Sequence, residues 1–372
     1  MSDAPALKEW FNAARYRWFA DELASLTPRF DRKKFLAHTL PGLDERSLLQ
    51  RIRRTSEAMS ATLPADYPKA LAVLKKLAPR FDHNFVTLVL PDFVGLYGHD
   101  DFDASMDALA FFTRFGSAEF AIREFLKRDL PRTLAVMERW SLDKNEHLRR
   151  LASEGCRPRL PWSFRLPALI ADPSPVAPIL ENLRADDSLY VRKSVANHLN
   201  DITKDHPDWT LATLRRWTTK NPHTAWIARR ALRTLIKAGH PEALALFGVK
   251  PGAFVRVENL TLSAPAITLG DRLSFSYDVT STSSRSQRIV ADYAVHYVKK
   301  SGDLSRKVFK LSEFDLPARS RVSLKKSQRF QNFTTRTHYA GEHRIELLLN
   351  GQSVASTSFM LHVTSPKSRL LT

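Results

Sequence analysis

Acidic side chains set among paired bases are the residues of this sequence most in need of a chemical reason. In HLRRLASEG, Glu154 lies one helical turn beyond Arg149-Arg150; in LYVRKSVANHLNDI, Leu189 to Ile202, Asp201 lies one turn beyond Asn197, the residue that aligns with Glu154. The basic pairs Arg149-Arg150, Arg192-Lys193 and Arg229-Arg230 hold one register in three successive segments. Such a ladder is expected to match a phosphate backbone. A carboxylate inside it weakens that attraction and so calls for a task of its own. Plainer alternatives stand beside each reading: solvated surface for the basic pairs, an i,i+4 helix pair with Arg150 for Glu154, and a helix-end pair with Lys204 for Asp201.

The elements that must position these residues are helices. Val191, Val195, Leu199 and Ile202 fall four, four and three residues apart, one apolar stripe at 3.6 residues per turn, while Lys193, Asn197, Asn200 and Asp201 share the polar side. TLAVMERW (Thr133 to Trp140), VAPILENL (Val176 to Leu183) and TLATLRRW (Thr210 to Trp217) align without gaps, and each precedes a polar loop and a second helix, HLRRLASEG, YVRKSVANH or IARRALRTL. Two helices per unit at a period near forty residues predict an all-α HEAT-like solenoid, whose second helices line an inner surface. Pro175, Pro222 and Pro241 stand at expected first turns. After Lys250-Pro251-Gly252 the texture changes to alternating strands such as Arg272-Leu-Ser-Phe-Ser-Tyr-Asp-Val and His343-Arg-Ile-Glu-Leu-Leu-Leu, with turn signals SGD and NGQ. About seven such strands predict a C-terminal all-β immunoglobulin-like sandwich. The expected domains are therefore 1–250 and 251–372.

Composition narrows the partners. The chain has 372 residues, 43% hydrophobic and 26% charged, with 57 Lys and Arg against 39 Asp and Glu, a net charge of +18. A polyanion is the expected partner, nucleic acid before membrane, since no basic amphipathic helix has an exposed aromatic edge. The single cysteine, Cys156, excludes an internal disulfide and a Cys-ligated cluster, and the twelve histidines form no HExxH or Cys/His pattern. No metal, nucleotide or redox cofactor is expected. Neither a signal-peptide core nor an apolar run of about 20 residues is present, so the chain is expected to stay where it is made.

LRRLASEGCRPRLPW (Leu148 to Trp162) and LYVRKSVANHLNDITKDHP (Leu189 to Pro207) resemble the AlkC branch of the AlkC/AlkD-type DNA alkylation-repair glycosylases. FDRKKFLAHTLPGLDERSLLQRIRRTSEAMSATLPADYPKAL and SAEFAIREFL (Ser117 to Leu126) look like the same branch, so the resemblance spans about residues 7 to 247. Family members with a C-terminal immunoglobulin-like domain match the strand-rich tail. The resemblance implies hydrolysis of the N-glycosidic bond of cationic alkylated bases, 3-methylcytosine, 1-methyladenine and 3-methyladenine in duplex DNA, without flipping the base into a deep pocket. Carried over by motif, the catalytic candidates are Glu119, Glu154, Trp162 and Asp201, with Arg150, Arg157 and Arg159 as supporting DNA contacts. Together with the lack of targeting signals it suggests a bacterial, cytoplasmic, nucleoid-associated protein acting on double-stranded DNA that contains alkylated bases; a monomer is expected, because a solenoid with a sandwich needs no second copy to surround a duplex.

These residue types suit that reaction. Breaking the bond leaves sugar C1′ with oxocarbenium-like charge, which a nearby carboxylate stabilises, while a cationic base is already a good leaving group. Trp162 would hold the cationic lesion or the deoxyribose by its ring face. Glu154 and Asp201 are expected nearest C1′ and the water, with Glu119 a further contact; Glu119 is also four residues before Arg123 and could simply pair with it. Asn197 and Asn200 would bind phosphate or orient the acids, and Trp226 is a candidate DNA contact near Arg229-Arg230, with core packing as its alternative. Over residues 251–372 there are 18 Lys and Arg against 9 Asp and Glu, and Lys325, Lys326 and Arg329 are expected to meet the duplex. Two other readings remain: a non-catalytic HEAT-repeat nucleic-acid-binding or scaffold protein, and an RNA-binding helical repeat.

Overall fold

Prolines and capping side chains set where the helices begin. Asp129 accepts from the Arg132 amide at the start of Leu130–Trp140, whose first turn holds Pro131, and Asn145 accepts from the His147 amide to open Glu146–Glu154. Pro207, Pro222 and Pro241 are the first residues of Pro207–Arg216, Pro222–Ala231 and Pro241–Ala245, where a missing N–H costs no helical bond. Pro175 falls instead in a short 3-10 turn, Ser174–Val176, just ahead of Ala177–Asn182. The computed structural model describes residues 6–217, 220–250, 252–333 and 336–363.

The described residues form sixteen α-helices followed by eight strands. The three repeated segments are helix pairs: Leu130–Trp140 with Glu146–Glu154, Ala177–Asn182 with Leu189–Ile202, and Pro207–Arg216 with Pro222–Ala231. Their second helices stack in order, the 189–202 helix packing against both of the others. Val191, Val195, Leu199 and Ile202 are all buried there, as the stripe requires. The polar side is not uniformly open: Lys193 is exposed and Asn197 half-buried, but Asn200 and Asp201 are buried. No described helix is long and apolar enough to cross a membrane.

The chain divides into two compact units, Met1–Ala231 and Leu232–Thr372. The strands thus begin close to the expected break, yet the short helices Arg233–Lys237 and Pro241–Ala245 group with the sandwich. Gly239, at φ +75°, shows why: a Cβ there would sit 2.9 Å from the Gly351 backbone, so two glycine turns are pressed together. Strands β1 (Val255–Leu262), β3 (Arg272–Ser281) and β6 (Arg321–Arg329) form one sheet in the order β1-β3-β6; β2 (Ala266–Thr268), β4 (Gln287–Val298), β5 (Leu304–Leu316), β7 (Gly341–Leu349) and β8 (Gln352–His362) form the other in the order β2-β8-β7-β4-β5. Alternate residues Leu273, Phe275, Tyr277 and Val279 meet Ile289, Tyr293, Val295, Ile345 and Leu347 in the core between the sheets. Asn350-Gly351, with φ of +50° and +79°, makes the tight β7–β8 hairpin that the NGQ signal predicts.

Candidate active site

Glu154 and Asp201 stand at the C-terminal ends of their helices, where the helix dipole disfavours an anion. Their stability there comes from Arg157, in the loop that follows Glu154. Its Nη1 donates to Glu154 Oε1 at 2.7 Å, and its Nε and Nη2 donate to Asp201 Oδ2 at 2.9 and 2.8 Å. Lys204 Nζ lies 3.2 Å from Asp201 Oδ1, and Arg150 Nη2 lies 3.4 Å from Glu154 Oε1. Arg150 Nη1 in turn bonds Glu119 Oε2 and Ser117 Oγ, and Ser117 Oγ donates to Glu119 at 2.6 Å. The result is a single row that alternates in sign: Lys204, Asp201, Arg157, Glu154, Arg150, Glu119. Three anions and three cations compensate each other, so these acids do not cancel the net basic charge around them. Burial alone would depress the Arg157 and Arg150 guanidinium groups, but the neighbouring carboxylates outweigh it and hold both above the ordinary arginine range.

The row reaches open space at its Glu119 end. A recess of about 270 Å³ is lined there by Glu119, Arg150, Tyr190, Trp162, Phe85 and Phe115, among others. Trp162 is 60% exposed and meets Phe85 edge to face with ring centroids 6.4 Å apart; Arg150 lies 5.1 Å from the Tyr190 ring centroid. Glu154 and Asp201 do not line this recess and are only 6% and 4% exposed. Glu119, ranked third of the acids on motif grounds, is therefore the one that lines the recess.

Several residues expected to meet DNA are engaged within the protein instead. Glu119 does not pair with Arg123, because it precedes the Ile122–Arg128 helix in a turn and Arg123 faces inward. Both helix pairs offered as plain alternatives, Arg150 with Glu154 and Asp201 with Lys204, do form, but as links of the larger row. The basic ladder splits by position. Arg149 Nη1 donates to the Asp143 and Lys144 carbonyls, and Arg192 Nη1 donates to those of Asp186 and Asp187: the same clasp, six and five residues back, in two repeats. Arg149 also grips Asp186 with Nε and Nη2 at 2.6 and 3.1 Å. These first members tie loops together; of the second members, Lys193 and Arg230 are exposed, whereas Arg150 is half-buried within the row. Arg229 is half-buried. Arg159 makes a two-pronged pair with Asp205, and the buried Asn200 donates to the Ala231 carbonyl at 2.7 Å, which ties down a helix end. Trp226 lies beneath two guanidinium groups, with Arg192 5.9 Å and Arg230 5.6 Å from its ring centroid. Among the described residues no group of three or more His, Cys, Asp or Glu could hold a metal ion. Cys156 is fully buried, and burial pushes its thiol up to about 12.

Two family models match the chain: "DNA alkylation repair enzyme" over residues 112–235, and the "C-terminal Ig-like domain" of the "Uncharacterised protein YhaZ" over residues 256–363. YhaZ of Bacillus subtilis is 41% identical over 356 residues, 95% of this chain and 99% of its own. The solved structure of the Pseudomonas fluorescens alkylpurine DNA glycosylase AlkC, bound to DNA containing an abasic site analog, is 52% identical with a TM-score of 0.93, covering 96% of this chain and all of that one. The chain belongs to the AlkC-type DNA alkylation-repair family. Its helical repeats and C-terminal sandwich are the AlkC architecture, so the fold expected from the repeat and strand patterns is the fold observed.

Motif reading of this AlkC-type chain missed residues whose role depends on a neighbour far along the chain. His198 is one. It is fully buried on the 189–202 helix, and its Nδ1 bonds the Ser153 carbonyl at 2.9 Å, joining the two helices that carry Glu154 and Asp201. Burial, helped by the charge on Arg157, lowers its pKa to about 3. The unfolded chain therefore binds a proton at His198 between about pH 6.5 and 3 that the folded chain does not, and stability falls as pH drops through that window. Urea unfolding from pH 7 to 5 should show the wild type losing up to about 1.4 kcal/mol per pH unit more than His198→Asn below pH 6. Parallel pH profiles would remove His198 from that account.

Proposed function

We propose that this chain is a DNA glycosylase that hydrolyses the N-glycosidic bond of cationic alkylated bases, 3-methylcytosine, 1-methyladenine and 3-methyladenine, in duplex DNA without swinging the base into a deep pocket. The observation that carries this reading is the charge-compensated row of three acids, ending at Glu119 in an aromatic-walled recess on a basic helical stack. A phosphate-binding surface gains nothing from such acids. A sugar cation does: as the C1′–N bond breaks, its electron pair goes to the base and neutralises the lesion, while C1′ becomes positive and faces fixed negative charge. Water then adds to C1′ and passes its proton to a carboxylate, leaving an abasic site. No acid is needed for the departing base. Trp162, exposed at the rim, supplies a ring face for the cationic lesion or the sugar. The 52% identity to an alkylpurine DNA glycosylase over nearly the full chain supports the reaction class. The reading extends to a monomer acting on nucleoid DNA in a bacterial cytoplasm.

Single-turnover release of 3-methyladenine and 3-methylcytosine from duplex DNA, with binding followed in parallel, tests this. Binding without release would leave a non-catalytic groove binder, a reading to which the thorough pairing of the acids lends some support. An RNA partner would reveal itself by outcompeting duplex DNA at matched salt.

For the sandwich, the strand pattern refines which bases could meet the duplex. Along β6 alternate residues are exposed, so Lys325 and Arg329 share the outer face while Lys326 lies on the half-buried side. Removing Lys325 and Arg329 together should flatten the slope of log affinity against log salt by up to roughly 0.9 for each phosphate no longer neutralised, and Lys326→Ala should leave it unchanged. An unaltered slope in the double variant would take the duplex away from this face.

A further inference from the structure

Arg123 is a fully buried arginine held by backbone instead of by carboxylates. It lies on the Ile122–Arg128 helix, none of its surface reaches solvent, and among the described residues no acid is within ion-pair distance. Its bonds go to main-chain carbonyls. Nη1 donates to Gly155 O at 2.9 Å and Arg157 O at 2.6 Å, Nη2 donates to Phe164 O, and its guanidinium carbon lies 5.3 Å from the Phe164 ring centroid. Burial lowers its pKa to about 10, which still leaves it charged at neutral pH. A cation buried this way is costly, and its three acceptors are what offset that cost.

Those acceptors bracket one loop. Gly155 caps the helix that ends in Glu154; Arg157 bridges Glu154 and Asp201; and Phe164 closes the segment containing Trp162. Trp162 has φ of +65°, a left-handed backbone that is strained for a residue with a Cβ and persists only if its surroundings hold it. The helix end is also pressed onto the Arg123 helix: a Cβ at Gly155 would come within 2.5 Å of Ile122 Cγ2. One guanidinium therefore sets the span between the end of the Glu154 helix and the loop that presents Trp162.

We infer that Arg123 is a positioning residue for the reaction proposed above, clamping the 155–164 loop so that Trp162 faces the recess. It touches neither substrate nor reacting atoms. The inference rests on the glycosylase reading for its effect on rate, but not for its effect on Trp162.

The test uses Arg123→Lys, which keeps the charge and the stem but cannot serve three divergent carbonyls from one nitrogen. Release of 3-methyladenine from duplex DNA should fall roughly 10- to 100-fold, while affinity for a duplex with a tetrahydrofuran abasic analogue changes less than about threefold. In a Trp162→Ala background the same substitution should cost little, because its effect passes through that ring. Fluorine NMR of protein carrying 5-fluorotryptophan, with the Trp162 line assigned by Trp162→Phe, should show that line moving in Arg123→Lys while the other six stay in place. An unmoved Trp162 line, or a rate loss that multiplies unchanged onto Trp162→Ala, overturns the inference. If the wild type releases no base, the glycosylase reading fails, and the fluorine line alone decides whether Arg123 holds the loop. Should Arg123→Lys not fold, Phe164→Leu, which loosens the same clamp at its ring, replaces it with the same two outcomes.

Discussion

Glu154→Gln is expected to lower single-turnover release of 3-methyladenine by about 10²–10³-fold, the usual consequence of removing one preorganised group that stabilises transition-state charge. The row makes this substitution unusually clean. Glu154 is shared between two arginines, and each has another anion: Arg150 keeps Glu119, and Arg157 keeps Asp201. The fold can therefore lose this negative charge without leaving a buried cation unpaired, and glutamine retains an oxygen that can accept from Arg157. Duplex binding should persist or tighten slightly, because the row gains a net positive charge. If release is unchanged, Glu154 is only a link in an ion-pair network. A loss of release and stability together, with the protein partly unfolded under assay conditions, would mean that its role is structural.

Arg157→Met should have the opposite profile, with stability lost first. Arg157 is 7% exposed and bonds two acids that are themselves buried; without it, among the described residues Asp201 keeps only Lys204 as an ion-pair partner, and Glu154 keeps only Arg150 at 3.4 Å. Breaking one side of a buried ion pair typically costs about 3–5 kcal/mol, because the remaining charge is neither hydrated nor matched. The urea midpoint should drop with the slope unchanged. Arg159→Met, which breaks the outlying pair with Asp205, should barely move it. The decisive comparison adds Asp201→Asn to Arg157→Met: with its charge gone, Asp201 no longer suffers from losing Arg157, so the double variant should be more stable than the two single losses summed. Strict additivity would sever the link between these residues.

How far the site was legible in the sequence depended on the range over which each residue acts. The stripe Val191, Val195, Leu199, Ile202 is read from helical periodicity alone and is buried as expected. The three repeated helix pairs and the strand-rich tail are likewise local patterns, and they led to the observed architecture. Glu154 and Asp201 stood out by their spacing from the basic pairs, Glu119 and Trp162 only through long motifs, and the fold gathers all four around one row and its recess. The first arginines of the ladder misled because a surface pattern cannot distinguish a base facing a groove from one folded back on its own loop; the Arg149 and Arg192 clasps depend on where the preceding turn runs.

By itself, then, the sequence determined what repeats and what alternates: the helix pairs, their apolar faces, the sandwich strands, and a positive charge that demands an anionic partner. Those properties act over one or two turns of helix or one strand pair, and any stable fold must respect them. Only the tertiary structure decided that Arg157 compensates two acids, one 3 residues before it and one 44 residues after, that Asn200 seals a helix end, and that Arg123 faces backbone rather than Glu119. Buried charge is the reason. Each of these groups is stable only with a partner at about 3 Å, and which partner arrives there is settled by how distant segments pack.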